Sequence, residues 1–108
     1  MGRRPRYSLV YAPQVHAHLK SLDRRHLRLL RDSIEQQLLS APLEQTRNRK
    51  PLERSPGPFG ATWELRCGPE NRFRIFYEVM ESERQVWILA VGNKEGNRLR
   101  IGGKEFVL

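Results

Sequence analysis

Cations with forked donors set the chemical possibilities of this chain. Arg66, Arg72 and Arg74 fall in two consecutive segments, 62–67 and 72–79, in which polar and apolar residues alternate. In a strand, alternate side chains share one face of the sheet. If Trp63, Leu65 and Cys67 point into a core, then Thr62, Glu64 and Arg66 point the other way. In the second segment Phe73, Ile75, Tyr77 and Val79 point in, and Arg72, Arg74, Phe76 and Glu78 point out. One face then carries Arg66, Arg72 and Arg74 beside Glu64, Glu78 and an aromatic ring. The run 46–52 adds Arg47, Arg49 and Lys50, and the later chain adds Lys94, Arg98 and Arg100. Guanidinium groups gathered in this way hold phosphate backbones and stabilise the extra charge of a pentacoordinate phosphorane. The simpler use of the same residues is a solvated face with Glu–Arg pairs across strands. That use suits Arg72 or Arg100 alone better than it suits Arg66 and Arg74 together on adjacent strands.

Other chemistries find less support. His16 and His18 are separated by one residue, so a helix points them apart, and no Cys or Asp cluster completes a metal site. His26 falls in the first turn of an expected helix and reads as a surface residue. Gly102-Gly103 is followed by strand-forming residues, unlike a phosphate-binding loop, which leads into a helix. Cys67, Trp63 and Trp87 read as core. No cofactor motif emerges.

Elements must position the cationic face. Residues 7–11 are rich in β-formers and bounded by Pro5 and Pro13, which predicts a first strand. Pro13 suits the first turn of a helix carrying Val15, Leu19 and Leu22 at helical spacing. Asp23 can cap a second helix with Leu27, Leu30, Ile34 and Leu38 on one stripe, ended by Pro42. Arg24, Arg25, Arg28 and Arg31 form its solvated face. Residues 41–61 contain four prolines and two glycines, which argues against regular structure and for a long functional loop. Two alternating strands follow, joined by a turn at 68–71. Residues 85–91 are continuously apolar, as in a central strand, and the tail folds as a hairpin around Gly102-Gly103. The expected fold class is α+β, one domain over 1–108. A two-helix hairpin covers one face of a small, twisted, mainly antiparallel sheet, in the order β-α-α-β-β-β plus a C-terminal hairpin.

Composition narrows the partner. Among 108 residues, 20 Lys and Arg against 12 Asp and Glu leave a formal charge of +8. A small domain this basic, and this rich in arginine, calls for a polyanion, either nucleic acid or an acidic protein segment. No apolar run reaches the roughly 18–20 residues of a membrane span, and the basic start at 1–7 leads into no signal-like hydrophobic stretch. One cysteine allows no internal disulfide. A cytoplasmic protein is expected.

The runs RNRKPL (47–52), WELR (63–66), RFRIFYEV (72–79), WILAVGNK (87–94) and NRLRIGGKEFVL (97–108) together resemble RelE/ParE-type toxins of type II toxin–antitoxin pairs. The resemblance spans nearly the whole chain, and order and spacing make it specific where each run alone is not. It implies two alternatives. RelE-like members enter the ribosomal A site and cut mRNA, with the RNA 2′-hydroxyl as nucleophile. ParE-like members share the fold, lack that chemistry and poison DNA gyrase. On the RelE pattern Arg74 matches the arginine that precedes apolar-apolar-Tyr, and Lys94 the basic position just after Val-Gly. The pattern's two lysines fall on Thr62 and Glu64, and its C-terminal tyrosine or histidine falls near Arg100, so the usual acid and base are absent. The leading expectation is a toxin that inhibits translation by ribosome-dependent mRNA cleavage. Arg74, Arg66 and Lys94 would stabilise charge, Glu64 would substitute as base, and Arg47, Arg49, Lys50, Arg72, Arg98 and Arg100 would bind RNA. A small acidic antitoxin encoded nearby would silence it in a hetero-oligomer. The alternatives are a gyrase poison without nuclease activity, or a degenerate module that only binds nucleic acid.

Overall fold

Helical and alternating patterns take shape in a computed structural model that describes residues 6–53 and 56–106. Strand β1 (Ser8–Tyr11) leads into helix α1 (Val15–Lys20) and helix α2 (Leu27–Leu38). Strands β2 (Arg49–Pro51), β3 (Trp63–Cys67), β4 (Phe73–Met80), β5 (Gln85–Glu95), β6 (Arg98–Ile101) and β7 (Lys104–Phe106) follow. Pro5, Val107 and Leu108, to which the sequence assigned a strand boundary and the end of the tail hairpin, lie outside the described residues.

The expected caps and stripes hold. The Asp23 carboxylate accepts the Arg25 N–H at 3.1 Å and starts a short 3₁₀ turn, Arg24–His26, that runs into α2. Leu30, Ile34 and Leu38 of α2 are fully buried, and each contributes about 1.5–3 kcal/mol of burial. They meet Leu65, Cys67, Phe73, Ile75, Tyr77, Val86 and Ile88 from the sheet in one core. Arg24, Arg25, Arg28 and Arg31 stay exposed. His26 is less of a surface residue than its position suggests, because its ring packs 5.0 Å from that of Phe73. Trp63 is half-buried and stacks on Tyr77, 6.1 Å between ring centres. Trp87 belongs to neither apolar cluster; it is half-buried with its indole N–H on Gln85, so its assignment to the core does not hold.

The sheet runs β2-β3-β4-β5-β6-β7, antiparallel throughout, and β1 joins it parallel to the first half of β5. On that side β1 pairs β5 as far as Ile88, and β6 takes over at Gly92. The gap between them is closed by α1: Gln14 Nε2 donates to the Leu89 carbonyl at 2.9 Å, and His18 Nδ1 accepts the Val91 N–H at 3.3 Å. Leu89 is also the bulged residue, since Phe76 pairs Ala90 while Tyr77 pairs Ile88. His18 therefore completes a strand edge, which is why a histidine is buried there.

Two expectations change. Residues 41–61 are not irregular throughout, for β2 pairs β3 and a 3₁₀ turn forms at Pro58–Gly60. Tyr77 fixes the approach to β2, its hydroxyl donating to the Pro42 carbonyl at 2.7 Å. The second change is on the sheet face away from the helices, which is not simply solvated. Ala61, Phe76, Ala90, Leu99 and Ile101 are buried there, with Leu52, Leu89 and Phe106 packed against them. Gly92 permits that packing, since a Cβ at this position would sit 2.9 Å from Leu99 and 3.1 Å from Ile101. The C-terminal hairpin turns at Gly102 and Gly103, both at positive φ, as a two-residue turn matched to strand twist requires.

Candidate phosphate-binding cleft

Beside the second apolar cluster, the same face opens into a cleft of about 700 Å³. Register explains its chemistry. Lys50, Glu64 and Phe76 stand in one cross-strand row, and Arg66 and Arg74 are direct partners in the next. Like charges facing each other across strands repel. Glu64 relieves them: its Oε1 accepts from Arg74 Nη1 at 2.7 Å and from Arg66 Nε at 3.2 Å. The Glu64 side chain is only 7% exposed, against 12% for Arg74 and 32% for Arg66. Arg74 Nε also donates to the Asn71 carbonyl at 3.2 Å. That carbonyl belongs to a tight turn in which Glu70 and Asn71 both adopt positive φ. Asn48 braces the end of β3, its side-chain amide donating to the Arg66 carbonyl at 3.1 Å and to Asn71 Oδ1 at 3.3 Å.

Among the described residues five cations line the cleft, Lys50, Arg66, Arg74, Lys94 and Arg98, against the carboxylates Glu53, Glu64 and Glu105. Arg98 and Glu105 are paired at 3.5 Å on the exposed rim, where such a pair adds about 0–1 kcal/mol. Burial shifts the titration of groups elsewhere: it pushes the Cys67 thiol up to about 11, raises Tyr77 and lowers His18. None of these three lines the cleft. Buried Cys67 fits the core role that alternation gave it.

Of the residues singled out from sequence, Arg74, Arg66, Lys94, Glu64, Lys50 and Arg98 meet in the cleft. The others do not. Arg49 is buried, 8% exposed, and its guanidinium donates to the Gln37 carbonyl in the last turn of α2. Alternation along β2 is the reason, since Lys50 takes the cleft side and Arg49 the inner one. Arg72 lies at the end of the sheet, with Nε on Asn93 Oδ1 at 3.2 Å and its guanidinium 5.4 Å from the Phe73 ring centre. Arg100 lies between Leu99 and Ile101, both in the outer apolar cluster, so alternation turns it away. Arg47 is exposed outside the cleft. Phe76, expected as an exposed aromatic, is 3% exposed and forms part of the cleft floor. Sequence reading missed Glu53, Asn97 and Glu105 as lining residues. Glu105 reaches the rim beside Arg98, with which it pairs, on a hairpin whose register is set by the Gly-Gly turn.

No family model and no curated protein matches the chain. Among solved structures, a chain of the toxin–antitoxin complex RelBE2 from Mycobacterium tuberculosis is similar. The TM-score is 0.62 at 26% identity, over 83% of this chain and 99% of that one. The likeness to RelE-type toxins thus extends from the sequence runs to the α+β fold itself.

Proposed function

Starting from a chain with the fold and sequence pattern of RelE-type toxins, we propose that it is the toxin of a toxin–antitoxin pair and cuts mRNA on the ribosome at this cleft. The observation that supports this most is the pair Arg66 and Arg74, side by side on one buried carboxylate and flanked by Lys50, Lys94 and Arg98. Cleavage by the RNA's own 2′-hydroxyl needs in-line geometry, charge stabilisation on the phosphorane, and proton transfer at both oxygens. The arginines and Lys94 serve the second need. The ribosome serves the first by holding the mRNA, which is why free RNA is left intact. Among the described residues no histidine lines the cleft, so proton transfer draws on its carboxylates or on ribosomal groups.

The toxin acts in the cytoplasm, where mRNA is translated. An acidic antitoxin neutralises the same cations, folding onto the basic surface as it binds. Reconstituted translation with mapping of mRNA 5′ ends tests the reading. Wild-type protein should generate new ends only on translated message. Arg74→Ala should lower that rate by about 10²–10³, the usual cost of removing one donor to a developing oxyanion, with an unchanged circular dichroism spectrum. A wild-type protein that yields no new ends, and instead traps gyrase on DNA, would establish the gyrase alternative.

A further inference from the structure

We infer that Glu64 is a positioning residue, not the proton acceptor that its place in the cleft first suggests. Its carboxylate orients Arg66 and Arg74 as a preset clamp for one phosphodiester. The inference rests on the reading of this cleft as an RNA phosphate site.

The geometry carries it. Both guanidiniums converge on a single oxygen, Oε1, at 2.7 and 3.2 Å. Protonation of this carboxylate, at either oxygen, would cancel the charge that holds both arginines at the step when they are needed most. Arginine has five N–H donors. Glu64 takes one from Arg66, and Glu64 with the Asn71 carbonyl takes two from Arg74. Among the described residues the remaining four and three have no partner, and the two side chains line the open cleft. The cluster of two guanidiniums and one carboxylate carries a net charge of +1, which matches the single negative charge of a phosphodiester. Without an acceptor at the position of Oε1, two directly opposed arginines would repel and splay.

Gln and Asp substitutions separate the two roles because each preserves what the other loses. Glu64→Gln keeps an oxygen at the same reach but is not a general base. Glu64→Asp keeps a base and withdraws it by one methylene. On the ribosome, Glu64→Gln should retain kcat within about tenfold, with the wild-type pH–rate limbs and an equal or lower KM. Glu64→Asp and Glu64→Ala should each lose about a hundredfold, as expected of a misplaced clamp. The reverse order, Asp above Gln, with a pH limb missing in Glu64→Gln, would overturn the inference and make Glu64 the base.

A second measurement needs no activity. In ¹⁵N-arginine spectra of the full chain, the Arg66 and Arg74 Nε–Hε signals should be slow to exchange in wild type and Glu64→Gln, and averaged in Glu64→Asp. Signals indifferent to residue 64 would overturn the inference even if RNA is cut. Ordered signals in a wild-type protein that cuts no RNA would sink the cleavage reading and leave the clamp standing.

Discussion

Arg49 and Lys50 are adjacent cations with opposite fates, and replacing each by alanine separates stability from RNA binding. Arg49→Ala removes a buried, charge-assisted hydrogen bond to the Gln37 carbonyl. Such bonds contribute about 1.5–3 kcal/mol, and a cation at a partly buried helix C-terminus adds up to about 2 kcal/mol. Against this, Arg49 Nε is buried with no hydrogen-bond partner among the described residues, and an unsatisfied donor costs about 1–3 kcal/mol. At mid-range these opposing terms leave a net loss of about 1–2 kcal/mol, because the mutation removes that unsatisfied donor along with the cap. At about 4 °C per kcal/mol for a chain of this size, Tm should fall by roughly 4–8 °C. Lys50 lines the cleft and is half-buried. Lys50→Ala should leave Tm within about 2 °C, as surface substitutions usually do. It should also flatten the salt dependence of single-stranded RNA binding by about 0.7 log units per log unit of salt, one phosphate contact. The assays are thermal melts by circular dichroism and fluorescence-anisotropy titrations between 50 and 200 mM salt, the range about which such slopes are read. Arg49→Ala should keep the wild-type salt slope. A flattened slope with an unchanged Tm in Arg49→Ala would refute the assignment of Arg49 to the helix end.

Two buried titrating groups make further predictions. Burial pushes the Cys67 thiol up to about 11 from 9.0. Its thiolate fraction at pH 8 is then about a hundredfold below that of an ordinary cysteine, and iodoacetamide should label native protein at least that much more slowly than unfolded chain. Labelling at equal rates would place the thiol at the surface. His18 is held neutral by burial, with Nδ1 accepting the Val91 N–H, so its folded pKa lies below 6.5. The unfolded chain then binds the proton first, and the stability that His18 contributes is full above pH 6.5 and lost as pH falls through its folded pKa. Urea midpoints from pH 8 to 5 should fall less steeply in His18→Gln, which keeps an acceptor for Val91; parallel slopes would refute the assignment.

Much of the fold is legible because its burial is one-sided. Leu30, Ile34 and Leu38 announce α2, and the alternation from Trp63 to Val79 sorts β3 and β4 correctly into inner and outer sets. Strand β2 is not legible: Arg49-Lys50-Pro51 has poor strand propensity, and pairing to Trp63, Glu64 and Leu65 is what makes it a strand. Its alternation nonetheless decides which neighbouring cation reaches the cleft. The outer apolar cluster is hidden for another reason. Phe76 comes from β4 and Leu99 and Ile101 from β6, and they look like unrelated outward residues until the C-terminal hairpin folds beside β5. Glu64 was legible as a cleft carboxylate but not as a bridge, since that depends on Arg66 and Arg74 being in direct register.

The division of this sheet face into apolar and cationic halves gives the site its rigidity. The cations drawn into one cleft repel one another, and Glu64 bridges Arg66 and Arg74. What holds the others is the neighbouring cluster. Leu52 packs against it directly after Lys50 and Pro51, and Leu99 does so directly after Arg98. Burial of these side chains anchors the backbone beside Lys50 and Arg98, which line the same cleft as the Arg66–Arg74 pair. The apolar floor of Phe76, Leu52 and Phe106 also excludes water from one side of the cleft, and charges interact more strongly where the local dielectric falls. A preset array of this kind has its reorganisation completed on folding, before any phosphate arrives. Under the proposed function, the same surplus of positive charge would serve both a phosphate backbone and an acidic inhibitor.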